Sequence, residues 1–91
     1  GTTQGDAYEV TTSRAFFSTV ADGSGAVLDS NAAAGDDQLV YNGGANGLLV
    51  YPPSGAQIQG LPANQAMTLP VKTACLFFCI STTQWVGVLS R

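Results

Sequence analysis

Few side chains in this 91-residue chain could do chemistry. There are two cysteines, six carboxylates and three cationic residues, with no histidine. Without an imidazole, neither a Ser-His-Asp nor a Cys-His arrangement can be assembled, and the usual general base for neutral pH is missing. Asp6, Glu9, Asp22, Asp29, Asp36 and Asp37 could supply a carboxylate pair for glycoside hydrolysis. All six sit in polar, turn-like contexts where solvated surface acids are expected, so no active site is expected. Asp36-Asp37 could help hold a hard cation, but two acids before a strand are read first as a turn.

Cys75 and Cys79 lie in "TACLFFCIS", whose aromatic and branched residues read as a buried strand. Four residues along a strand place them on one face but roughly 13 Å apart, at ~3.3 Å per residue. A disulfide needs Cα atoms within about 7 Å, so an intact strand keeps them from pairing with each other. They read as buried free thiols acting as small hydrophobes, which fits assembly in a reducing cytoplasm. An intermolecular bridge is one alternative; a helix carrying both on adjacent turns is another, disfavoured by Phe77, Phe78 and Ile80. Two thiols without histidine do not make a metal site, and no cofactor is expected. "GGANGLLV" has Leu48 and Leu49 where a calcium-binding nonapeptide needs aspartate, and Gly23-Ser24-Gly25 lacks the third glycine of a dinucleotide loop. Trp85, Tyr41 and Tyr51 could stack on a sugar, although Trp85 shares a strand face with Gly87 and Leu89, as core or interface packing would require.

The elements that carry these residues follow from short apolar runs and strong turn signals. "SRAFFSTV" (13–20) is a strand closed by Asp22-Gly23-Ser24-Gly25, and "QLVYN" and "GLLVY" flank two Asn-Gly pairs that predict a hairpin. Pro52-Pro53-Ser54-Gly55 ends the second of these strands. A short link around Ile58, then "AMTLPV", "ACLFFCI" and "QWVGVLS", complete the set. No segment carries a helical apolar stripe beyond one turn. The spacing predicts an all-β chain, a compact antiparallel β-sandwich or barrel of about six to eight short strands. Residues 1–12 form an extended N-terminal arm or edge strand, and residues 13–91 a single β-domain.

Charge and apolar patterning point to partners. The chain is 45% hydrophobic and only 10% charged, against about 25% charged in an ordinary soluble domain. From Gln38 to Ser90 the only charged residue is Lys72. The net charge of −3, without a basic cluster, argues against nucleic-acid binding. Asparagines, glycines and prolines interrupt the uncharged stretch well before the ~20 apolar residues of a membrane-spanning helix. In residues 74–80, Ala74, Leu76, Phe78 and Ile80 point one way and Cys75, Phe77 and Cys79 the other, so neither face suits water. The same holds for Leu48 and Val50 against Leu49 and Tyr51. A thin domain with strands apolar on both faces needs a second cover, and a neighbouring subunit is the simplest. The bland alternative is a compact monomer coated with Ser, Thr, Asn and Gln. Candidate contact residues are Tyr8, Phe16, Phe17, Leu48, Leu49, Val50, Tyr51, Ile58, Phe77, Phe78 and Trp85.

A resemblance to a known module implies that the same contact residues could meet a subunit or a capsid. Val40-Tyr41-Asn42-Gly43-Gly44-Ala45-Asn46, Leu49-Val50-Tyr51-Pro52, Gly55, Ile58-Gln59-Gly60, Asn64, and Phe78 through Thr83-Gln84-Trp85 resemble, in order, a small all-β module of tailed-bacteriophage virion proteins. About two thirds of the chain is covered, with Gln59 where that module has Asn and Val86 where it has Tyr. The resemblance implies a capsid decoration (cement) protein, made in the host cytoplasm and placed on the capsid exterior as a homotrimer bound to the major capsid protein. A head-fibre or tail-appendage domain that binds a receptor glycan is the alternative, and a secreted β-domain or lectin the third reading.

Overall fold

The structure is a computed structural model that describes residues 4–90. Among them are nine strands: β1 (Tyr8–Glu9), β2 (Arg14–Phe17), β3 (Gly25–Val27), β4 (Asp37–Asn42), β5 (Leu48–Tyr51), β6 (Gln57–Ile58), β7 (Met67–Leu69), β8 (Thr73–Ser81) and β9 (Gln84–Ser90). A single 3-10 turn, Gln4–Asp6, precedes them. The strands form a four-stranded sheet, β1-β3-β5-β7, facing a five-stranded sheet, β2-β4-β8-β9-β6. The chain is therefore nearly all-β, and the two sheets do not close into a barrel.

Both sheets are mixed, which corrects the antiparallel expectation. β1/β3, β3/β5, β2/β4 and β6/β9 pair parallel, while β4/β8, β5/β7 and β8/β9 pair antiparallel. The reason lies in the order of the chain. From β1 to β8 each strand belongs to the sheet opposite its predecessor's. A strand that returns to its sheet after a full turn through the other one can run parallel to its earlier neighbour, which a tight hairpin forbids. Among the described residues, β8-β9 is the one hairpin.

The hairpin expected between β4 and β5 is an arch instead. A type I′ turn requires positive φ at both central residues, and none of Asn42, Gly43, Asn46 and Gly47 has one. The asparagine side chains hold the arch. Asn42, with no exposed surface, donates from Nδ2 to Asn46 O (2.8 Å) and Leu69 O (2.9 Å) and accepts at Oδ1 from Gly44 N–H (3.0 Å). Asn46 Nδ2 donates to Val20 O (2.9 Å). A Cβ at Gly44 would lie 2.5 Å from the Val20 nitrogen, so only glycine lets the arch pass that close.

The core lies between the sheets: Leu48, Val50 and Leu69 from one, Val40, Cys75, Phe77, Cys79, Ile58 and Trp85 from the other. Gln38 spans its border, donating to Val10 O (2.8 Å) and Thr12 O (3.0 Å) and accepting from Asp29 N–H (2.9 Å). Among the described residues, no buried side-chain polar atom lacks a partner. The arm expected over residues 1–12 begins outside the described residues. In its described part β1 pairs with β3, Val10 is buried, and Gln4 Nε2 donates to Pro52 O (2.8 Å) and Asn64 Oδ1 (3.1 Å).

Candidate interaction surface

Three of the six carboxylates hold local structure. Asp29 Oδ1 accepts from Asn31 N–H and Asp36 Oδ2 from Ala33 N–H, both at 2.9 Å, closing turns; Glu9 Oε2 accepts from Ser30 N–H (3.3 Å) and Oγ (3.0 Å). Among the described residues, no three His, Cys, Asp or Glu side chains gather in a way that could hold a metal ion. Cys75 and Cys79 are free and buried. Burial pushes the Cys75 thiol up to about 11, tempered by a backbone hydrogen bond at Val88. Burial also raises Cys79, with the Asp36 carboxylate adding to the effect, and its thiol donates to Ser81 O (3.2 Å). Neither offers a thiolate at neutral pH.

What the fold leaves open is apolar. Strand register places three rows of side chains on the outer face of the five-stranded sheet. One row runs Phe16–Tyr41–Ala74, the next Arg14–Leu39–Leu76–Val88, the third Asp37–Phe78–Val86. Phe16 is 67% exposed, Ile80 56%, Val88 55% and Phe78 39%, whereas Val40, Cys75, Phe77 and Trp85 on the opposite face are at most 1% exposed. Four strands at ~4.8 Å spacing and about seven residues of length make a face of roughly 400 Å². That is the size of the largest apolar patch on an ordinary monomer, and such patches are often functional. Phe16 and Tyr41 meet at 6.2 Å between ring centres, beside an open depression of about 320 Å³ lined also by Phe17, Ser18, Gly43 and Lys72. The only charges in the three rows are Arg14 and Asp37, both at the margin.

The eleven residues singled out from sequence divide by location. Leu48, Val50, Ile58, Phe77 and Trp85 are at most 4% exposed and fill the core, where they offer a partner no surface. Phe17 is half-buried against that core and meets Tyr8, itself 62% exposed, edge to face at 5.9 Å. Leu49 and Tyr51 lie half-buried on the outer face of the four-stranded sheet, with the Tyr51 ring over Gly25, where a Cβ would meet Cε2 at 2.9 Å. Only Phe16 and Phe78 of the eleven belong to the open apolar face. Leu39, Tyr41, Leu76, Ile80, Val86 and Val88 complete it and were not among them. For Leu76 and Ile80 the signal was present in the two-faced apolar strand β8, but alternation does not tell which face turns inward.

Compared with known proteins, the chain matches no family profile and no curated protein.

Proposed function

We propose that this protein is a structural assembly module of the tailed-phage virion type, a capsid decoration protein that forms homotrimers on the capsid exterior and braces the major capsid protein. The open apolar face of β2-β4-β8-β9 is the observation that carries this reading, and the ordered residue resemblance supports it. At ~25 cal/mol per Å², about 400 Å² of apolar burial contributes roughly 10 kcal/mol before association costs of about 4–15 kcal/mol. One such contact is marginal. Repeated over a lattice that already holds the copies close, the same contact becomes firm by avidity. A face of this strength therefore suits a protein that reinforces an array. The Phe16–Tyr41 pair beside its depression favours, as a second reading, an appendage domain that stacks on a glycan.

The test is copy number and effect on purified particles. Decoration predicts many copies per particle, and particles that lose heat resistance when the protein is stripped and regain it on re-addition. A Phe16→Ser/Phe78→Ser double variant folds but fails to restore it. An appendage domain predicts few copies and glycan binding lost in Phe16→Ser, and absence from particles overturns both readings.

A further inference from the structure

The edges of the two sheets are not treated alike. β1 and β7 are two and three residues long, with Glu9 on the first and Pro70 directly after the second. β2 carries Arg14, whose outward carbonyl is taken by Thr12 Oγ1 at 2.6 Å. These are the usual protections of a free edge: shortness, charge, proline, local capping. β9 has none of them. It is seven residues long, without charge or proline, and β6 covers only Gln84 and Trp85. From Val86 to Ser90 no described strand lies along the edge of β9 that faces away from β8.

Backbone parity then identifies which groups face outward. Thr83 O and Trp85 O accept from Gln57 N–H (3.0 Å) and Gln59 N–H (2.7 Å) of the β6 segment. By alternation, Gly87 and Leu89 direct their N–H and C=O groups to that same edge, beyond the point where β6 ends. Gly87 and Leu89 also share the inner side of the sheet. Gly87 lacks a side chain, and a Cβ there would meet Cys75 Sγ at 3.0 Å and the Phe77 ring at 3.2 Å. Leu89 is 43% exposed.

We infer that the open edge of β9, Val86 to Ser90, pairs antiparallel with the same edge of a second copy of this chain, about a twofold axis at Val88. Val88 is the midpoint of the five open residues. In that register Gly87 of each copy lies opposite Leu89 of the other, and each such pair exchanges both backbone hydrogen bonds. The exposed Leu89 of each copy then packs beside the bare, exposed backbone of the other copy's Gly87. No like charges meet, because the segment has none. The apolar row Leu39–Leu76–Val88 continues across the axis into its symmetry mate, so the outer face doubles in extent. The contact stands on this edge alone and is compatible with a threefold assembly, in which case trimers would join in pairs.

Val88→Cys tests the register directly. An antiparallel pair without mutual backbone bonds holds its Cα atoms about 4.5 Å apart, inside the range of a disulfide. Mild oxidation of Val88→Cys should give a covalent dimer as the main species on a non-reducing gel, while Val71→Cys, at a site that is also exposed, stays single. Wild-type mass in solution should be that of an even number of chains. Leu89→Pro, which removes an outward N–H but no ladder bond within the subunit, should halve it, with Trp85 fluorescence unchanged as the check on folding. Wild type that is monomeric or trimeric, a mass unmoved by Leu89→Pro, or a Val88→Cys variant that folds and does not cross-link would each overturn the inference. A cross-linking dimer that is missing from phage particles would instead leave this contact standing and remove the virion reading.

Discussion

Asn42→Ala is the substitution that bears hardest on how the two sheets are joined. It removes the donor to Asn46 O and Leu69 O and the acceptor for Gly44 N–H at a position without exposed surface. Leaving a buried backbone group unsatisfied costs about 1–3 kcal/mol. With three groups orphaned and partial relaxation of the arch, the loss should be about 3–5 kcal/mol, out of roughly 5–14 kcal/mol for a chain of this length. Urea unfolding followed through Trp85, the single tryptophan and 1% exposed, reads this directly. With a slope of about 1 kcal/mol per molar urea, the midpoint should fall by roughly 3–5 M, or the variant should be unfolded without denaturant. Asn42→Asp supplies a second reading. It keeps the acceptor for Gly44 N–H but turns a buried carboxylate toward two carbonyls, which raises its folded-state pKa above the unfolded value near 4. A raised folded pKa means stability is present at low pH and lost as pH rises, so Asn42→Asp should be more stable at pH 3.5 than at pH 7 relative to wild type at each pH. A loss below about 1 kcal/mol in Asn42→Ala would refute the claim that this side chain ties the arch to the sheets.

Neighbouring phenylalanines on β8 should behave oppositely: Phe77→Ala, in the core, is expected to cost about 3–5 kcal/mol, whereas Phe78→Ala on the open face should change subunit stability by less than about 1 kcal/mol and weaken association instead, as denaturation and sedimentation of both variants would show. The Cys75 thiol, raised from 9.0 to about 11 in the folded chain, contributes stability that is complete below pH 9 and declines as pH rises toward 11. The decline should approach 3 kcal/mol, at about 1.4 kcal/mol per unit, and denaturation at pH 8 and pH 10.5 should show a smaller difference in Cys75→Ala than in wild type.

Much of the strand content was legible, because turn residues punctuate short apolar runs. "QWVGVLS" became β9 with its bounds unchanged, and "QLVYN" lengthened by Asp37 alone. The separation of Cys75 from Cys79 also followed from strand geometry, since a rise of ~3.3 Å per residue holds four-apart residues beyond disulfide reach. Pairing was not legible. Asn-Gly allows a tight turn but does not compel one, and at Asn42 and Asn46 side-chain hydrogen bonds to distant carbonyls win over the local hairpin. β4 shows the same competition. Leu39 and Tyr41 look like its inward face, yet Gln38, Val40 and Asn42 turn inward because the two amides satisfy backbone groups of the connections they hold.

By itself the sequence determined that the chain is β, that its thiols stay apart and that too little charge exists to cover its apolar strands. These are local properties, set by residue type and by spacing along a strand. Tertiary structure decided which of two equally apolar faces became core. That choice made Leu48, Val50, Phe77 and Trp85 interior and left Phe16, Phe78, Ile80 and Val88 outside. It depends on the crossing of the chain from sheet to sheet, because the strand that covers a face comes from a distant part of the chain, and a one-residue change of register would invert the assignment.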